Sequence, residues 1–142
     1  MKASYRQDNE HFHYHNENPK NRLTSGDCVI RAISYVSGFS WDSVYASLCD
    51  IGFRLKMMPN DKKVFEEYLK QIGFTKFASP RKLDGTKYTV KEFMENNSDA
   101  KMIISVANHL TAIDNGKIID TWDCGYKCVG NYWMKIRRDI IC

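Results

Sequence analysis

The sequence predicts an α+β domain, helices first and an antiparallel sheet after them, on three observations. Apolar residues recur at helical spacing in several segments between residues 28 and 94. After residue 100 the segments KMIISVA, HLTAI and KIIDTW are rich in Ile, Val and Thr, side chains that suit a pleated, half-buried surface. Asn115-Gly116 separates the last two segments, and that dipeptide is the strongest short-range signal for a two-residue hairpin loop. Helices followed by hairpin-connected strands is the α+β order.

Taken in order, residues 1–24 are rich in Asn, His and charge, with Pro19 near their end. They read as an irregular arm with one short strand at His11 to His15, and Thr24-Ser25-Gly26 forms a turn. DCVIRAISYVSG reads as a helix with Val29, Ile30, Ile33 and Val36 inward, Asp27 or Ser25 as its cap and Gly38 as its close. A second helix follows Ser40, with Trp41, Val44, Tyr45, Leu48 and Cys49 on one side and Gly52 at its end. A third follows Pro59-Asn60, with Val64, Phe65, Tyr68 and Leu69 inward and Gly73 as its stop. A short fourth starts after Thr89, with Val90, Phe93 and Met94 inward. GNYWMKI reads as a last strand.

The 142 residues fit a single domain spanning 1–142. A chain of this size buries roughly two thirds of its unfolded surface, so it folds without a metal or disulfides. At 43% hydrophobic and 13% aromatic the composition is globular. The N-terminal 22 residues have no apolar centre, as a secretory signal would need. No run reaches the ~20 apolar residues of a bilayer span. The expectation is a soluble cytoplasmic protein with no membrane partner. Its five cysteines are an odd number without framework spacing, and are expected as free thiols. A net charge of +4 alongside 17 acidic residues does not by itself argue for nucleic acid.

One cysteine is placed for chemistry. Cys28 follows a Gly-containing turn and opens a helix, where the unpaired N–H groups and the helix dipole favour a thiolate. Of the four histidines, only His109 falls in the predicted sheet. A two-residue Asn115-Gly116 loop sets Asp114 opposite Lys117, Thr111 opposite Asp120 and His109 opposite Trp122. His109, Thr111, Asp120 and Trp122 then share one face, and Asp120 can orient the imidazole. A three-residue loop would put Asp123 there instead, so the choice between the two aspartates rests on the register. Cys28, His109 and Asp120 are thus a candidate nucleophile, base and orienting group. An oxyanion hole also needs a polar donor upstream, and Asn21, with Ser25 behind it, is the candidate.

The same residues have plainer readings. Cys28 alone is more often a core residue, and Asp27 a helix cap. Arg31, one turn into the helix, either raises the thiolate fraction or forms a structural ion pair. His11, His13 and His15 with Cys124 and Cys128 suggest zinc, but Cys-x3-Cys without a second pair is not a zinc pattern, so no metal and no cofactor are expected. Cys49 reads as core, Cys142 as exposed, and Trp41, Trp122 and Trp133 as core. Lys56, Lys62, Lys63, Arg81, Lys82, Arg137 and Arg138 read as a solvated face, and nucleic acid is not the expected partner.

The segments NENPKNRLTSGDCVIRAIS, MPNDKKVFEEYL and HLTAIDNGKIIDTWDCG resemble a family of small proteins of Gram-positive gut bacteria and their phages. The likeness runs from about His13 to Trp133. That family is in turn similar to the papain-like cysteine peptidases, whose order is Cys on a helix, then His and Asp or Asn on neighbouring strands. The second likeness rests on Cys28, His109 and Asp120. Asn21 and Arg22 lie where a papain-type Gln would stand. The resemblance implies a papain-like fold, and a thiol hydrolase acting on a peptide, isopeptide or other amide bond of a peptide or protein. The alternatives are an inactive papain-like scaffold that binds a protein partner, and an accessory protein of nucleic acid.

Overall fold

The computed structural model describes residues 7–135. Arg137, Arg138 and Cys142 lie outside the described residues. In chain order the elements are β1 (Phe12–Tyr14), α1 (Cys28–Ser37), α2 (Trp41–Leu55), α3 (Lys62–Gln71), β2 (Phe74–Phe77), α4 (Val90–Glu95), β3 (Lys101–Val106), β4 (His109–Asp114), β5 (Lys117–Asp120) and β6 (Tyr132–Lys135). The chain is α+β. Its strands form one six-stranded sheet in the order β1-β5-β4-β3-β6-β2.

The sheet departs from the expected antiparallel, C-terminal one in two ways. β1, from the arm, pairs parallel with β5, so the sheet is mixed. β2 adds a strand that the periodicity did not suggest: it has four residues, only Phe74 fully buried, and it is defined by its antiparallel pairing with β6. The β4–β5 hairpin has the two-residue register, with Asp114 opposite Lys117 and Ile113 opposite Ile118. Asn115 and Gly116 both take positive φ, at 53° and 74°, as a type I′ turn requires.

Alternation along the strands divides the core in two. On one face Ile103, Leu110, Ala112 and Trp133 pack with Ile33, Leu48, Leu69 and their neighbours from α1, α2 and α3. On the other, Met102, Ile104, Ile113 and Ile118 pack with Phe12, Phe93, Met94 and Val129. Each of the larger aliphatic and Phe or Met side chains among them, fully buried, contributes about 1.5–3 kcal/mol.

The helix ends show local chemistry at work. α1 closes on Gly38 in the left-handed region at φ 82°. Ser40, Asp61 and Thr89 cap α2, α3 and α4 with their side chains, Thr89 through a full capping box with Glu92. α2 does not stop at Gly52 but continues to Leu55 and ends on Lys56 in the left-handed region. Gly52 serves close approach: a Cβ there would stand 2.7 Å from the Met57 carbonyl oxygen of the loop folded back on the helix. Its own carbonyl accepts from the Met57 N–H. Tyr45 is exposed rather than inward and stacks on Trp41, and Cys49 is half-buried, because the inward stripe of α2 runs through Val44, Leu48, Ile51 and Gly52.

Candidate active site

The site forms where α1 and β4 both begin. Cys28 is the first residue of α1 and His109 the first of β4. Leu110 and Ala112 face α1, so His109 and Thr111 point to the other side of the strand. Cys28 and His109 therefore meet around the strand's end, not across its face. Cys28 and His109 line the same cleft, and the His109 imidazole and the Leu110 backbone N–H both act on the thiol electrostatically. His109 Nε2 lies 2.6 Å from Asp120 Oδ2, which leaves Nδ1 for the thiol. Thr111 Oγ1 donates to the same Asp120 oxygen at 2.6 Å. The Trp122 ring stands edge-on to the imidazole, with centroids 4.9 Å apart.

Behind this row lies a second one. Arg31 Nη1 donates to Asp120 Oδ1 at 2.9 Å and to Thr121 Oγ1 at 3.2 Å, and its Nε donates to Asp27 Oδ1 at 2.9 Å. Asp27 occupies the N-cap position of α1 but makes no capping hydrogen bond. Its other oxygen accepts from Asn18 Nδ2 at 2.8 Å and Trp41 Nε1 at 2.9 Å. The expected cap is thus a bracket, tying the arm, α1 and α2 together. Arg31 is an ion-pair residue whose charge also reaches the thiol.

Electrostatics follow from these contacts. Burial pushes the Cys28 thiol up, but the His109 hydrogen bond, the Leu110 N–H and the charges of His109 and Arg31 outweigh it and hold the thiol below its ordinary 9.0. Burial pulls His109 down, but Asp120 and Cys28 raise it from 6.5 to about 9. Asp120 is driven up by burial and further down by His109, Thr111 and Arg31, ending below the usual carboxylate range. Each of the two groups favours the charged form of the other, the imidazolium lowering the thiol and the thiolate raising the imidazole.

Asn21 is not brought to the thiol. It sits in an exposed turn with φ 58°, its N–H bonded to the Asn18 carbonyl, and it does not line the cleft beside Cys28. That cleft, about 510 Å³, has an apolar floor that includes Val29 and Phe65, with Asn60, Lys62, Ser105 and Asn108 around it. Sequence reasoning singled out none of the three residues Asn60, Ser105 and Asn108, and read Lys62 only as surface. Asn108 carried one local signal, since a residue between two strand-like segments invites the left-handed turn conformation it adopts at φ 58°.

Asp123 faces away from the imidazole and pairs with His11 Nε2 at 3.1 Å. His13 and His15 likewise pair with Asp8 and Glu17. Among the described residues His109, Asp120 and Cys124 present ligand-type atoms within 4.8 Å of one another. They are a poor cation site, because the Arg31 guanidinium already occupies Asp120. Burial, with the Asp120 charge next, pushes the Cys124 thiol up to about 12, so it does not compete with Cys28 as a thiolate.

No helix of the described residues is long and apolar enough to cross a membrane. Comparisons with protein-family models, curated proteins and solved structures found no match to this chain.

Proposed function

We propose that the protein is a papain-like cysteine hydrolase that cleaves an amide bond of a peptide or protein. The observation that carries this reading is the grouping of Cys28, His109 and Asp120: the thiol opens a helix, shares one cleft with His109, and His109 Nε2 lies 2.6 Å from Asp120 Oδ2. Cys28 Sγ attacks the carbonyl carbon and its electrons move onto the oxygen. The free amides at the start of α1 would receive that charge. His109 then gives its proton to the leaving nitrogen as the C–N bond breaks. In the second half His109 takes a proton from water, the hydroxide attacks the thioester, and the Sγ–C bond breaks to restore the thiolate. Asp120 keeps the imidazole turned with Nδ1 toward sulfur.

The test is reactivity. Cys28 should be alkylated by iodoacetamide between about pH 6 and 7 faster than Cys128, although Cys128 is exposed and Cys28 half-buried. His109→Ala should slow Cys28 selectively. Labelling of Cys128 with Cys28 untouched would leave only the partner-binding scaffold.

A further inference from the structure

The cleft beside Cys28 has a charge of one sign. Lys62, the first residue of α3, lines it, and its Nζ donates to the neutral amide oxygen of Asn131 at 3.0 Å. Among the described residues Lys62 has no carboxylate partner, whereas Lys76 and Lys82 each have one. The neighbouring carboxylate, Asp61, is turned elsewhere: it accepts from the Lys63 N–H and lines a separate depression with Phe53 and Met57. The other ionisable groups in the cleft, Cys28 and His109, form a pair that is neutral as a whole. The remaining polar groups of the cleft, Asn60, Ser105 and Asn108, carry no charge. An exposed ammonium with only an amide for company, at the wall of a cleft otherwise without net charge, is a counter-ion without its ion. The start of α3 adds potential of the same sign.

Resting on the hydrolase reading, we propose that Lys62 is a specificity residue and that the cleft takes substrates with a carboxylate side chain next to the scissile bond. The apolar floor receives the aliphatic stem of such a residue. Lys62 leaves Asn131 to pair with its carboxylate.

Peptidyl acyloxymethyl ketones test this without a known substrate. The thiolate displaces the acyloxy group as a carboxylate and forms a thioether, so labelling reports binding beside Cys28. Two probes differing only in Glu or Gln next to the reactive group are compared on the full chain, with the site read by peptide mapping. The Glu probe should label Cys28 about fivefold faster, the scale of a partly exposed ion pair. The preference should shrink at about 0.5 M salt, disappear in Lys62→Gln, invert in Lys62→Glu and persist in Lys62→Arg. Equal labelling by both probes overturns the proposal and leaves the hydrolase reading standing. A Glu preference that survives in Lys62→Gln also overturns it. Failure of both probes and of iodoacetamide to label Cys28 removes both readings together.

Discussion

Asp120 gives one carboxylate oxygen to His109 at 2.6 Å and the other to Arg31 at 2.9 Å. Asp120, the partner of His109, is itself held by a cation from α1, the helix that begins with Cys28. Arg31 repeats the bond one turn earlier, to Asp27. The start of α1, His109 and Asp120 are therefore tied together by buried charge as well as by packing.

Removing that cation should be costly. Arg31→Met leaves Asp27 and Asp120 buried without their partner and should lower stability by roughly 3–5 kcal/mol. Both carboxyls are held below their ordinary 3.8, against the upward push of burial, by hydrogen bonds and by Arg31. Such groups stabilise the fold above that value and lose the contribution as pH falls through their folded values. Denaturant unfolding should therefore show the gap between wild type and variant widest near neutral pH and closing below about pH 4. A gap that does not change with pH would show that Arg31 acts by packing alone.

The two aspartates of the DTWD segment should separate cleanly. Asp120→Ala should slow Cys28 alkylation near pH 6.5 by about 100-fold or more, since the imidazole loses its orientation and much of its proton affinity. Asp123→Ala removes only contacts to His11, Asn9 and the Gly125 N–H and should change the rate less than about threefold.

The pair should set a bell-shaped profile for turnover. Its acid limb lies below the ordinary thiol value of 9.0, where Cys28 loses its charge, and its alkaline limb lies near 9, where His109 loses its proton. Stability supplied by His109 is full below its ordinary 6.5 and is lost as pH rises through about 9. In Asp120→Asn the alkaline limb should move down by at least about one pH unit, because a neutral amide no longer favours the imidazolium. An unmoved limb would mean that another group titrates there.

Gly52 offers a test of sign. Helix propensity alone favours Ala in the interior of α2 by about 1 kcal/mol. The Met57 carbonyl, 2.7 Å from the new methyl, opposes it, and Gly52→Ala should destabilise by about 1–3 kcal/mol. Cys28 reactivity should be unchanged, since the change lies at the far end of α2 from Trp41. A rise in Tm would show that the 57–59 loop yields freely.

Much of the site's geometry is legible from short-range chemistry. Gly26-Asp27 before an amphipathic stretch puts Cys28 at a helix start. Asn115-Gly116 dictates a register that sets Asp120, and not Asp123, beside His109. What escapes the sequence is long-range. The bond from Arg31 to Asp120 spans 89 positions. Nothing local says that the three residues FHY pair parallel with β5, or that Lys62 and Asn108 border one cleft. Asn21 looked suitable because it precedes Cys28 by a few residues, but residues 21–26 are exposed, and the buried amide of the arm is Asn18, which bonds Asp27 instead. Gly52 looked like a stop because a glycine required for close approach and one that ends a helix are the same letter.

The parallel pairing of β1 with β5 has a kinetic consequence. Phe12 meets Ile118 and Tyr14 meets Asp120, partners about a hundred residues apart, so the strand cannot nucleate locally and its loop closure is among the last to be compensated. Cys28 and His109 are nearly as far apart. During synthesis the arm waits unpaired until residue 120 has left the ribosome. Cys28 meets His109 only once α1 has packed on β4, so alkylation of Cys28 faster than that of an ordinary cysteine would report that docking.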